Sequence, residues 1–434
     1  MKRGLVVAAV LLSCAPFLVA QRSASTADLP VPSARPEDVG LSSARLARLK
    51  TAMQGYVDRH EVAGVVTLVA RHGRVAHFES VGYRDVEAKA PMTPDTIFRQ
   101  ASMTKPIVTV ATLMLLEEGR LQLSDPVSKW LPEFKDMKVM RPGPAGAYST
   151  VPAQTPITVR HLLTHTSGLQ SGDGVLLPAY EKIAPRSVPK DTLGAFVTRL
   201  AKLPLNFEPG TEWHYGAAGI GLTVAGRLVE VISGMPLDQF LTERIFRQLK
   251  MTDTFFYLPE DKLGRFAATY RPDVAGKIEL EEAPNANSIF FRERTYFSGS
   301  GGLVSTASDY LRFQLMLLNG GELDGARILG RKTVELMASN HTGKLPIASR
   351  GPGFGFGLGV SVLVDLGASG QLGSEGMFGW GGAYNTITFV DPKEDMVGIM
   401  MSQLRPNAHL NIRRDFQTLV YQALVGSPAA RSSN

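Results

Sequence analysis

The chain has 434 residues, 44% of them hydrophobic, and a formal net charge of +6. That length and apolar content support one large core or two interleaved domains. Acidic and basic residues are interspersed and no basic stripe is interleaved with aromatics, so nothing points to nucleic-acid binding.

In chain order, residues 1–20 pair Lys2 and Arg3 with an apolar stretch, the pattern of a secretory signal peptide. Ser13, Cys14 and Pro16 interrupt that stretch, and no later run of about 18 apolar residues follows. The expectation is an exported, periplasmic or secreted protein with no transmembrane helix in its mature form. Cys14 is the single cysteine, and Leu11 to Cys14 imperfectly resembles a lipid-attachment box. Residues 21–38 read as a Ser/Ala/Pro-rich linker. A helix is predicted from Leu41 to Asp58, with Leu46, Leu49, Met53 and Tyr56 on one face and Ser42 or Ser43 as cap. Strands are predicted at Val65 to Ala70 and Val75 to Val81, around the turn His72-Gly73. The middle reads as helices at Lys105 to Glu118, His161 to Thr164, Leu193 to Lys202, Gly219 to Ile232 and Ala307 to Leu318. Long loops such as Arg141 to Pro156 join them, and that loop and Gly367 to Gly379 are candidate lids. Strands return at Gly355 to Val364, Ala383 to Val390 and Met396 to Gln403, followed by a helix from Asn411 to Leu424. The expected fold class is α+β: an antiparallel sheet built from both chain ends (39–95 and 350–425), flanked by helices. A mainly helical region (96–349) is inserted, and 426–434 is expected to be a disordered tail.

Ser102-Met103-Thr104-Lys105 carries the chemistry. Residues three apart share a helix face, so the Lys105 amine can reach the Ser102 hydroxyl. The surrounding Ala101, Met103, Pro106 and Ile107 are apolar. Burial among them lowers a lysine pKa and makes the amine a usable base. An acyl-transfer site also needs a group that protonates the leaving group and an oxyanion hole. Tyr215 precedes a helical run and can shuttle that proton. Trp380-Gly381-Gly382 enters a strand, where glycines let substrate approach the backbone.

Taken together, these segments resemble the serine β-lactamase-related superfamily, close to class C β-lactamases and D-alanyl carboxypeptidases and most like the family VIII carboxylesterases. Phe98 to Pro106 resembles the nucleophile segment, and Pro209-Gly210 followed by Tyr215 the tyrosine segment. Leu162 to Leu169 and Ser298 to Tyr310 resemble two structural signatures, and Phe378 to Thr388 the third motif with its strand. The resemblance covers nearly all of residues 40–424. It implies Ser102 as nucleophile, Lys105 as base or tuner of the base, and Tyr215 as general base and acid. It implies the backbone N–H groups of Ser102 and Ala383 as oxyanion hole, and no metal or organic cofactor. The substrate would be a small-molecule ester or amide. Two departures bear on which. Tyr215-Gly216-Ala217 stands where the lactamases have Tyr-x-Asn, and Trp380-Gly381-Gly382 where they have Lys-Thr-Gly. Both polar handles for an anionic antibiotic are missing, and such a charge-assisted contact is worth about 1.5–3 kcal/mol. Trp380 is therefore expected to form an apolar wall for an ester, and Trp380, Gly381, Gly382 and Ala217 to be the substrate-binding residues. A β-lactamase or D-amino-acid peptidase is the second reading, and a non-catalytic binding or sensor protein on the same scaffold the third.

Other patterns are weaker. Ser187 and Lys190 repeat the Ser-x-x-Lys spacing between prolines, where a helix is not expected. His161 and His165 have zinc-compatible spacing, but position 162 is Leu, not Glu, so a satisfied structural pair is expected. Arg331 stands where a phosphate loop after Gly330 requires Lys. Gly351, Gly353, Gly355, Gly357 and Gly359 alternate, as on one face of a strand. Ser300 has no glycine two positions before it, so it is not a nucleophile elbow.

Overall fold

The protein is described from a computed structural model covering residues 31–144, 147–169, 174–184, 191–216, 219–285, 288, 290 and 295–426. The proposed signal segment, most of the linker, the tail beyond residue 426, Ala217, Ser187 and Lys190 lie outside the described residues.

The first helix runs Ser43–Asp58, and the Ser42 side chain accepts from the Arg45 N–H at 3.3 Å. Its Leu46, Leu49, Met53 and Tyr56 are all buried, as the spacing predicts. Strands Gly64–Arg71 and Arg74–Asp85 follow as a hairpin. His72 and Gly73, at φ 54° and 70°, supply the two left-handed residues that a tight hairpin turn needs.

These strands join strands from the other end of the chain. The sheet order is Phe354–Phe356, Ser361–Leu363, Phe378–Gly379, Thr386–Asp391, Met396–Met401, Gly64–Arg71, Arg74–Asp85, Ala90–Pro91, with Gly381–Gly382 pairing Thr386–Asp391. Every pairing is antiparallel, and the chain ends meet where Val66 faces Met401 and Arg71 faces Met396. Strand Gly64–Arg71 is buried along its whole length because both sheet faces are covered. Val65 and Val69 pack with the helices Ser43–Asp58 and Ile412–Tyr421. Val66, Leu68 and Ala70 point the other way, into the core that holds the helix Ala307–Leu318.

Behind that face lies the helical region. Helix Thr104–Glu117 is buried from Thr104 through Leu115 and packs on Gly221–Ser233. No helix among the described residues is long and apolar enough to cross a membrane.

Several sequence expectations need correction. Gly355 to Val364 is two short strands, because Gly359 turns the chain at φ 70°. Gly351 and Gly353 also have positive φ, so the alternating glycines do not share one strand face. The loop expected at Arg141 to Pro156 contains a hairpin, Lys138–Pro142 with Tyr148–Pro152. Gly367 to Gly379 begins in a short helix, Leu366–Ser369, and ends in a strand. Residues 32–34, expected within the linker, lie along the sheet: Ala34 N–H donates to Val75 O, and Val75 N–H to Pro32 O, each at 2.9 Å.

Candidate active site

Ser102 lies in a 3-10 turn, Ala101–Met103, that runs directly into the buried helix Thr104–Glu117. The turn starts from an unusual backbone. Ala101 sits at φ 44°, a left-handed conformation that costs a non-glycine residue on the order of 1 kcal/mol. Surrounding contacts hold it there. Strand Phe98–Arg99 pairs with Val304–Ser305, Leu303 N–H donates to Thr104 Oγ1 at 3.3 Å, and Tyr310 O–H to Met103 O at 2.8 Å. The segment Ser298 to Tyr310 is thus the back wall of the nucleophile turn.

Three side chains converge. Lys105 Nζ donates to Ser102 Oγ at 2.9 Å, and Tyr215 O–H donates to the same oxygen at 2.6 Å. Lys105 Nζ also donates to the Ser300 carbonyl at 2.6 Å and stands 5.0 Å from the Tyr215 ring centre. Lys105 is wholly buried. Burial pushes its ammonium pKa down, with the phenolate form of Tyr215 opposing that shift. Burial alone would raise the Tyr215 pKa. The Lys105 charge and the hydrogen bonds around its hydroxyl outweigh it, and the net shift is downward.

The tyrosine is held by aromatic neighbours. Trp380 Nε1–H points at Tyr215 Oη, 3.4 Å away, and His165 meets the Tyr215 ring edge-on at 5.0 Å. Trp380 is only 6% exposed and packs with Trp213, Ile347 and Phe356. Most of its ring therefore meets protein, and it supports Tyr215 more than it lines a wall. Gly219 closes the floor. A Cβ there would stand 2.7 Å from Lys105 Cε and 3.0 Å from His165 Cε1.

Gly381–Gly382 brings the third motif against the nucleophile turn. A Cβ on Gly382 would lie 2.3 Å from the Gln100 carbonyl, so only glycine lets the strand come this close. Ala383 follows at the exposed start of the turn. A surface groove of about 720 Å³ lies elsewhere, lined by Thr192, Gly194, Arg227, Val231 and Met235 among others, and touches none of these residues.

The histidine pair divides. His161 Nδ1 accepts from the Thr158 N–H at 3.2 Å and closes a capping box, as a structural histidine does. His165 differs from the expected satisfied partner: its Nε2 is buried and has no hydrogen-bond partner among the described residues. Burial, then the charges of Lys105 and His214, hold its pKa well below the usual histidine value, so the ring is neutral. Sequence reasoning missed the Ser300 carbonyl as a ligand of Lys105, because a backbone oxygen has no side-chain signature.

Residues 49–422 match the Beta-lactamase family. The chain belongs to the beta-lactamase family. It is 33% identical to esterase EstB of Burkholderia gladioli over 82% of this chain and 90% of that protein. Its fold is similar to that of EstCE1, described as a hydrolase with promiscuous acyltransferase activity, at TM-score 0.74 and 29% identity over 87% and 99% of the two chains. Simvastatin synthase from Aspergillus terreus is similar at TM-score 0.75 and 27% identity, over 88% and 99%. This member is a hydrolase of that family, α+β in class, and its relatives include esterases and acyltransferases.

Proposed function

We propose that the protein is an exported carboxylesterase that cleaves small or medium carboxylic esters through an acyl-Ser102 intermediate. The observation that carries this reading is the placement of Lys105 Nζ and Tyr215 Oη at 2.9 and 2.6 Å from one serine oxygen. Once the Lys105–Tyr215 pair has lost a proton, it takes the proton of Ser102. Oγ then attacks the ester carbonyl carbon, and the negative oxygen is held by the N–H groups of Ser102 and Ala383. Collapse breaks the bond to the alkoxide, which leaves with the proton held by the pair. Water repeats the cycle on acyl-Ser102 and releases the acid. The missing Lys and Asn handles favour an ester over an anionic β-lactam, and the esterase names of relatives agree with that preference. Export rests on the cationic and apolar character of residues 1–20.

The test is a paired assay of a short-chain p-nitrophenyl ester and a chromogenic cephalosporin, each with Ser102→Ala as control. Ester turnover that disappears in the variant, with weak cephalosporin turnover, is expected. Dominant cephalosporin turnover would replace this reading with a β-lactamase or D-amino-acid peptidase.

A further inference from the structure

The strand Gly381–Gly382 and the strand Thr386–Asp391 are joined by the three residues Ala383, Tyr384 and Asn385. Asn385 N–H closes the turn on the Gly382 carbonyl at 3.1 Å, and Asn385 takes the left-handed conformation at φ 67°. The same Gly382 carbonyl accepts a second hydrogen bond, from Arg413 Nη2. Arg413 Nε donates to Asn385 Oδ1 at 3.1 Å, and Nη1 passes close beneath Gly381, where a Cβ would stand 3.4 Å from it. On the other side of Ala383, Asn407 Nδ2 donates to the Ala383 carbonyl at 3.0 Å.

Arg413 is partly buried and, like Arg350 beside it, differs from most enclosed arginines of the structure in what it pairs with. Arg71 pairs with Glu394, Arg99 with Glu282 and Arg199 with Asp191. Among the described residues Arg413 has no such carboxylate, and its donors go to a backbone carbonyl and an amide. Burial, then the nearby Arg350, pushes its pKa down to about 10, so it keeps its charge at neutral pH.

A trans peptide is planar, so its C=O and N–H point in opposite directions. Fixing the Gly382 carbonyl fixes the direction of the Ala383 N–H. Glycine on one side of that peptide makes it easy to rotate, which is why an anchor is needed. We infer that Arg413 is a positioning residue for the oxyanion hole, aided by Asn407: together they clamp the carbonyls on either side of the Ala383 N–H and hold it ready for the developing negative oxygen. The charge on the carbonyl also polarises the amide and strengthens the N–H as a donor. The inference rests on the acyl-Ser102 reading.

The experiment compares Arg413→Met, Arg413→Lys and Asn407→Ala with the unaltered protein and Ser102→Ala. The readouts are ester kcat and KM, active-site titration, thermal melting, and inhibition by an alkylboronic acid. The boronic acid bonds to Ser102 Oγ and puts an oxygen where the oxyanion forms. Arg413→Met is expected to lower kcat per titrated site roughly 10–100-fold, less than losing an oxyanion donor outright, with KM changed less than about threefold. Boronate inhibition should weaken by a similar factor. Arg413→Lys should recover part of the loss, and Asn407→Ala should lose several-fold. A purely structural role would lower the titrated fraction and the melting temperature while leaving kcat per site and boronate affinity unchanged, and would overturn the inference. If Arg413→Met does not fold, the same readings on Arg413→Lys and Asn407→Ala decide it. Full ester turnover in Ser102→Ala would instead remove the reading on which the inference rests.

Discussion

Two titratable groups, the wholly buried Lys105 and the half-buried Tyr215, lie within hydrogen-bond reach of Ser102 Oγ, and either becomes a proton acceptor once it has lost its own proton. Tyr215→Phe and Lys105→Ala should each lower ester kcat/KM by several orders of magnitude. The double variant should lose little more than either one, because the residues act as a unit. Both pKa values are shifted downward, so one member of the pair loses its proton below the usual lysine and tyrosine range. Because the deprotonated pair is the active form, kcat/KM should rise with pH through one apparent pKa that belongs to the pair, and lie flat above it. A pH profile measured with wild-type and Tyr215→Phe protein checks this, and the rising limb should move in the variant. The Ser-x-x-Lys pair was legible in the sequence because its two members sit one helical turn apart. Arg413 was not, because its partner lies 31 residues away and is a backbone oxygen.

At the scale of elements, the hairpin Gly64–Arg71 and Arg74–Asp85 buries a histidine. His77 Nε2 and Thr67 Oγ1 are 2.8 Å apart, and burial pushes the His77 pKa down to about 4. The unfolded chain binds this proton below about pH 6.5, the native state only below about 4. Stability therefore falls as pH drops through that window, by about 3 kcal/mol for this group at the lower end. Asp309 works the other way. Burial raises its pKa to about 6, so the native state holds a proton that the unfolded chain releases, and stability rises as pH falls toward 4. The wild-type pH–stability curve should be flatter than either group alone would give. Urea unfolding at pH 7 and 4.5 separates them: His77→Gln should gain stability at pH 4.5 relative to wild type, and Asp309→Asn should not. The start of the first helix was legible from its cap at Ser42, whereas the helix expected from His161 begins at Val159 behind the Thr158 capping box. The split at Gly359 was not legible, because an apolar, glycine-rich run reads the same whether it is one strand or two. Its cause is tertiary: a Cβ at Gly359 would lie 2.1 Å from Thr109 Oγ1.

At the scale of the molecule, the site depends on the chain closing on itself. Strand Gly64–Arg71 pairs with Met396–Met401 and carries the rest of the sheet, including the Gly382 strand that reaches the nucleophile turn. Leu68 is fully buried at this junction, opposite Ile399. Leu68→Ala should cost about 2–5 kcal/mol of stability in denaturant unfolding. Turnover per active site in the folded fraction should stay near wild type, because Leu68 is not among the residues that meet at Ser102. The α+β class was legible from the order of strand, helix and strand signals. The exact pairing was not, since it joins segments more than 300 residues apart.

Covalent labelling decides whether Ser102 is the nucleophile. The purified protein is treated with a fluorophosphonate, digested, and the modified peptide located by mass spectrometry, alongside intact mass after a brief ester pulse. One adduct per chain is expected, on Ser102 and absent from Ser102→Ala, with an acyl adduct on the same peptide during the pulse. An adduct on another serine, Ser187 included, with Ser102 unmodified, would contradict that assignment.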